Sequence, residues 1–174
     1  IGTNAVLFLA SLVVLTIINS YGLVPADVLS RPWTILTAMF LHASWGHITG
    51  NMLTLYFFGS ALIEIQGGNR FLIVYLVGGI AGNLLYALIG QPYSIAIGAS
   101  GAIFALGGAL VALIPSQKVL VFPIPVQVPL WLAVVGGFIV VSFWPGVAWQ
   151  AHLGGIVAGL ALGLLYRQRR YSRA

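Results

Sequence analysis

Cysteine is absent from the 174-residue chain, which removes disulfides and thiol chemistry from consideration. Charge is almost as scarce: 5% of residues carry it, and Asp27 and Glu64 are the sole acids against seven lysines and arginines. There is no HExxH sequence of the kind that holds zinc on a peptidase helix. Nor is there an internal repeat, a low-complexity segment or a charged extension large enough for a second domain. What remains is apolar. The chain is 60% hydrophobic with a mean hydropathy of +1.07, more than a soluble domain of this size can bury. A single multi-pass membrane domain over residues 1–174 is therefore expected.

A helix needs about 20 apolar residues to cross ~30 Å of hydrocarbon. Runs between charges and Pro or Gly breaks predict an all-α bundle of six spans near 4–20, 45–63, 71–89, 100–114, 128–143 and 149–166. The first run has neither the basic flank nor the cleavage site of a signal peptide. Six spans put both termini on one side, and the tail carries Arg167, Arg169, Arg170 and Arg173, which assign that side to the cytoplasm. Arg70 and Lys118 fall on it too, leaving only Arg31 outside. The expected location is a prokaryotic plasma membrane. The net charge of +5 is then a topology signal and an attraction for anionic membrane lipids, not a nucleic-acid patch.

Polar side chains gather at one depth in this arrangement. His47 and Asn51, four residues apart, share a helical face at the outer end of the second span. Ser100 opens the fourth span and His152 the sixth, also from outside. Polar groups at such depth are costly, so their convergence points to an active site. The fourth span has only 15 residues, Ser100 to Ile114, or about 22 Å of helix against ~30 Å of hydrocarbon. With Pro115 at the cytoplasmic boundary, Ser100 is submerged ~8 Å below the outer surface. The non-helical SIAIG before it must then be covered by protein or water. Gly98 and Gly101 permit a sharp turn and a close approach there. In the sixth span Gly155, Gly159 and Gly163 form a small-residue face shared with His152, and the fourth span offers Gly101, Ala105, Gly108 and Ala112 against it. Close packing of the two faces would set His152 beside Ser100.

A serine next to an imidazole is the simplest activated nucleophile, the ring nitrogen taking the hydroxyl proton and returning it to the leaving group. A carboxylate ordinarily orients the base. Here Glu64 lies 17 residues beyond His47 at the opposite end of the second span, and Asp27 sits in an outer loop with no motif around it. A Ser100/His152 dyad is expected, with Phe104 packed on the imidazole in place of the missing acid. His47, Asn51 and the Ser100 backbone N–H, at a helix N-terminus, are expected to donate to the oxyanion.

Taken together, these pieces resemble the rhomboid intramembrane serine proteases. The carriers are GASGAIFAL (Gly98 to Leu106) with a GxSG motif, AHLGGIVAGLALG (Ala151 to Gly163), FLHASWGHITGNM (Phe40 to Met52) with an H-x4-H-x3-N pattern, and the G-x4-E of Gly59 to Glu64. Many bacterial members carry Trp-Arg in the first outer loop, where here Trp33 precedes Thr34. The resemblance implies a six-helix core, the Ser100/His152 dyad, oxyanion donors at His47, Asn51 and the Ser100 amide, and cleavage of single-span membrane proteins near the outer leaflet. It also implies substrate access between the second and fifth spans. The fifth span is short, follows the Pro-rich KVLVFPIPVQVP linker, read as extended, and has Gly136-Gly137 at its centre. Trimming Trp131, Phe138 or Phe143, expected on its lipid or second-span side, should ease access.

Other readings of the same residues are blander. A serine in a Gly/Ala-rich membrane helix usually bonds its own backbone; convergence with two histidines reverses that expectation. His42 is expected to support the outer loop or the oxyanion site structurally, because its five-residue offset turns it off the His47 face. Asn83 and Tyr75 read as interhelical hydrogen bonds, Glu64 as a snorkelling charge, and Trp33, Trp45, Trp144 and Trp149 as an aromatic belt. Three histidines suggest zinc, but no carboxylate stands by to act as base, and neither metal nor cofactor is expected. A transporter would show an inverted repeat and a midplane charge. A catalytically inactive, client-binding rhomboid relative would be expected to lack the serine or the base.

Overall fold

The Ser44 hydroxyl accepts the His47 backbone N–H at 3.2 Å, satisfying an orphan donor where helix α4 (Trp45–Gln66) begins. The helix stops at Gly67, whose φ of +85° suits a residue without a Cβ, and α5 (Gly68–Ile89) follows at once. The computed structural model describes residues 1–14, 16–121 and 124–171, without the side chains of 124–125 and 169–171. Pro123 of the predicted linker and Arg173 of the predicted tail lie outside the described residues, as do the side chains of Arg169 and Arg170.

The molecule is mainly helical. By length and composition, three helices can cross a membrane: α4, α5 and the Trp149–Gln168 part of α8 (Trp149–Tyr171). Shorter apolar helices are α1 (Gly2–Val13), α6 (Ser100–Leu113) and α7 (Leu130–Ser142). The run expected at 4–20 is broken: Val14 is extended and a separate α2 (Thr16–Tyr21) follows. Two local features favour the break. Ser11 Oγ bonds back to Phe8 O at 2.7 Å, and the β-branched Val13 and Val14 hold a helix poorly.

α6 lies at the centre, buried from Gly101 to Leu110 apart from Phe104. Its contact with α8 is backbone on backbone. A Cβ on Gly155 or Gly159 would overlap the carbonyls of Gly101 and Ala105, and one on Gly163 would come 2.7 Å from Ala109 O. Gly108 reciprocates, 2.5 Å from Ile156 O by the same measure. α5 completes the trio, with Gly78 against Ala105 and Gly82 against Ala151. Between apolar helices in an apolar solvent, dispersion at such close approach supplies the association.

The linker expected between the fourth and fifth spans is extended, as its β-branched and proline content favours, but its two halves also pair. β1 (Lys118–Val121) runs antiparallel to β2 (Ile124–Pro129), Lys118 opposite Pro129 and Leu120 opposite Gln127. This hairpin departs from an all-α fold. Its physical reason is that backbone groups outside a helix need partners of their own. It also anchors α7, whose Leu130 N–H donates to Gln117 O at 2.8 Å.

The loop after α2 folds over the opposite end. It contains a short turn at Pro25–Asp27, helix α3 (Thr34–Thr37) and a second turn at Ala38–Phe40. Arg31 pairs with Asp27 and donates to Asn19 O at 2.8 Å. Asn83 makes the expected interhelical hydrogen bond, donating from α5 to Ile35 O of α3 at 2.7 Å. Tyr75 packs its ring against Phe40 and Phe71.

Candidate active site

Ser100 is the first residue of α6, so its backbone N–H precedes intrahelical bonding and its side chain leaves the helix mouth. The glycine contacts of α8 fix the other half. With Gly155 seated on Gly101, His152 one turn earlier reaches the start of α6, and its Nε2 stands 2.7 Å from Ser100 Oγ. The imidazole is 5% exposed, and its Nδ1 has no hydrogen-bond partner among the described residues. Phe104, one turn into α6, lies over the ring with centroids 4.6 Å apart and planes at 34°. Asp27 is engaged by Arg31, and Glu64 lies in the last turn of α4, the end opposite His47.

The chain reaches Ser100 through Gly98, at φ +130°, a conformation that L side chains rarely adopt. Space demands glycine as well: a Cβ there would lie 2.7 Å from His47 Nε2 and 3.7 Å from Ser100 Oγ. The bare Gly98 therefore opens a gap between the imidazole and the hydroxyl. Non-helical backbone before Ser100 is covered by the loop after α2, as buried backbone requires. Gly98 N–H donates to Ala38 O at 2.9 Å, and Ala96 exchanges two bonds with Leu23 at 2.8 and 3.0 Å.

His47 Nδ1 accepts the Ala43 backbone N–H at 3.4 Å, which leaves the proton of the neutral ring on Nε2, the nitrogen facing Gly98. Asn51, one turn further along α4, is buried, and its Nδ2 donates to His47 O at 2.8 Å. One amide hydrogen of Asn51 remains for another acceptor.

His42 precedes α4 and is not on a helix, so the expected turn away from the His47 face does not apply. It is 1% exposed, with its ring edge-on to His47 at 5.0 Å between centroids. Burial, and then the neighbouring His47, push its pKa down to about 4.

α7 covers the flank of the site. Trp131 and Phe143 are exposed, as expected; Phe138 is half-buried, and its ring meets the Phe104 ring of α6 edge-on, at 88° and 6.1 Å between centroids. In an all-apolar helix no polar contrast marks which residue turns inward. Among the described residues no three His, Cys, Asp or Glu side chains are grouped closely enough to hold a metal ion.

Several supports of the site escaped sequence reasoning. The Ala38 carbonyl and the Leu23–Ala96 pairing are backbone features with no side-chain signature. Gln150, whose Nε2 donates to Ile89 O at 3.4 Å and ties the start of α8 to the end of α5, carried a signal in being a buried amide two residues before His152.

A family model described as the Rhomboid domain matches residues 29–169. Similar curated proteins include the rhomboid protease GluP of Bacillus subtilis, 34% identical over 76% of this chain and 26% of that protein. Rhomboid protein 1, mitochondrial, of Saccharomyces cerevisiae is 30% identical over 84% of this chain and 45% of its own length. RHOMBOID-like protein 6, mitochondrial, of Arabidopsis thaliana is 32% identical over 78% and 44%. The chain thus spans less than half the length of these relatives.

Proposed function

The chain belongs to the rhomboid family of integral membrane proteins, and from that premise we propose that it is an intramembrane serine endopeptidase that cleaves single-span membrane proteins. The observation that carries the reading is the 2.7 Å contact between His152 Nε2 and Ser100 Oγ at the mouth of α6. A packing serine would bond its own helix. This one faces an imidazole.

In the proposed reaction, His152 Nε2 takes the Oγ proton as Ser100 attacks the scissile carbonyl carbon. The oxyanion forms in the gap beside Gly98, where the Ser100 N–H, the His47 Nε2–H and the free Asn51 amide hydrogen stabilise it. The imidazolium then protonates the departing amine, and water, deprotonated by the same nitrogen, hydrolyses the acyl-enzyme. Phe104 holds the ring through this cycle, since no acid does.

The same reading takes residues 1–174 as one domain of six membrane passes with α6 as the submerged fourth. Both termini and the basic residues other than Arg31 lie on the cytoplasmic side, and the site opens toward the outer leaflet. Substrate helices, and the lipids around them, are its partners. Residue placement supports this topology: Arg70 and Arg167 sit at the ends of α5 and α8 remote from Ser100. The inactive, client-binding alternative gains no support from a closely paired serine and histidine.

The test is covalent labelling of the detergent-solubilised protein with a fluorophosphonate, with Ser100→Ala as control. Labelling that Ser100→Ala abolishes supports the reading; its absence in the parent protein sinks it.

A further inference from the structure

α7 is held very unevenly along its length. Its first two turns are clasped: Leu130 and Val134 are buried, Val134 methyls lie 3.1 and 3.3 Å from where a Gly107 Cβ would stand, and Leu130 N–H and Trp131 N–H reach Gln117 O and Pro115 O at 2.8 and 3.4 Å. Beyond them come Gly136 and Gly137, where an added Cβ would meet nothing within 4 Å, and just past the helix end stand Phe143 and Trp144, 85% and 72% exposed. Between the clasped base and the loose tip, Phe138 makes an aromatic contact with Phe104 of α6.

Phe104 is also the ring that lies over His152. The chain of contacts Phe138, Phe104, His152, Ser100 therefore runs from the loosely held part of α7 to the reacting atoms. Among the described residues His152 Nδ1 has no hydrogen-bond partner to fix the ring, so its tilt rests on the Ser100 contact and on Phe104. Phe104 is in turn only as fixed as its own neighbours make it.

We propose that Phe138 is a positioning residue for the base: through Phe104 it aligns His152 with Ser100 only when α7 is closed against α6. The proposal rests on the dyad reading above. If α7 swings outward from its anchored base to admit a substrate helix, Phe138 leaves Phe104 and the imidazole loses its support. The chemical step then waits for α7 to return. Phe138 thus differs from Trp131 and Phe143, which face outward and act on access alone.

Two substrates separate the roles: a transmembrane protein, and a small water-soluble acyl ester that needs no opening of α7. Phe138→Ala should lower kcat about tenfold on both, while KM for the transmembrane substrate is unchanged or lower. Fluorophosphonate labelling of Ser100 should slow by the same factor. Phe138→Tyr, which keeps the ring, should restore all three. In a Phe104→Leu background Phe138→Ala should add less than twofold, since the path is already cut. Phe138→Leu serves as the truncation should Phe138→Ala fail to fold, and both are checked by thermal unfolding.

Unchanged kcat and labelling in folded Phe138→Ala or Phe138→Leu would overturn the proposal while leaving the dyad intact. So would full additivity with Phe104→Leu. A parent protein whose labelling survives Ser100→Ala, or that does not label, would overturn the dyad reading and this proposal with it.

Discussion

The Nε2 of His152 stands 2.7 Å from Ser100 Oγ, while the Nδ1 of the same buried ring meets no partner among the described residues. An imidazole so placed can accept the serine proton without a carboxylate behind it. Ser100→Ala and His152→Ala should each reduce cleavage of a transmembrane substrate at least about a thousandfold, with the thermal unfolding midpoint little changed. Substantial turnover in either variant would exclude the dyad.

Removal of the acids should matter little to chemistry. Asp27 is spent on Arg31 in a partly exposed pair, a kind that contributes only about 0–1 kcal/mol. Asp27→Asn and Glu64→Gln should keep kcat within about threefold of the parent, an acid contributing to a triad being worth far more. A collapse of kcat in Asp27→Asn comparable to that of His152→Ala would reveal a missed triad.

His47→Ala and Asn51→Ala should act on turnover. Each removes a donor proposed to face the oxyanion, and such a donor contributes about a hundredfold to rate. Steady-state kinetics should show the loss in kcat with KM nearly constant. A loss confined to KM would assign these residues to substrate binding.

Glycines should divide into two groups. A methyl at Gly159 overlaps the Ala105 carbonyl, so Gly159→Ala must push α8 off α6 and should cost more than about 2 kcal/mol, along with activity. Gly137→Ala meets nothing within 4 Å and should be neutral or stabilise the helix by up to about 1 kcal/mol. Chemical or thermal unfolding in detergent measures both. Equal effects would contradict the packing described.

Stability should fall with acid in a window set partly by His42. Its pKa is about 4 when folded, below the usual 6.5, so the unfolded chain takes up a proton that the folded one refuses. Stability from this source is full above pH 6.5 and is lost as pH falls toward 4, by up to about 3 kcal/mol. His42→Phe should flatten that part of the profile. Identical slopes in the two proteins would show that His42 is not the group responsible.

Access is tested by joining α4 to α7 through introduced cysteines, which the cysteine-free chain makes simple. The cross-linked protein should lose cleavage of transmembrane substrates and regain it on reduction, whereas Trp131→Ala and Phe143→Ala should raise cleavage. Unchanged cleavage in the fully cross-linked protein would rule out passage between these helices.

Much of the site was legible in the chain because a helix has a period. His152, Gly155 and Gly159 recur at three- and four-residue steps, and so do Gly101, Ala105, Gly108 and Ala112. Small residues at that period admit one close partner, so the approach of α8 to the start of α6 could be read before any coordinates. The place of Phe104 over His152 follows from the same period, one turn beyond Ser100, and the four-residue step from His47 to Asn51 sets both on one face of α4. What the tertiary structure alone decided has no such local signature. The break after Val13, the pairing of β1 with β2, the bond from Asn83 to Ile35 and the cover that Ala38 lends Gly98 are choices among backbone partners distant in sequence. The contact of Phe138 with Phe104 was hidden for a further reason: α7 is apolar on every side, and in a solvent as apolar as the core, hydrophobicity cannot mark which face meets protein and which meets lipid.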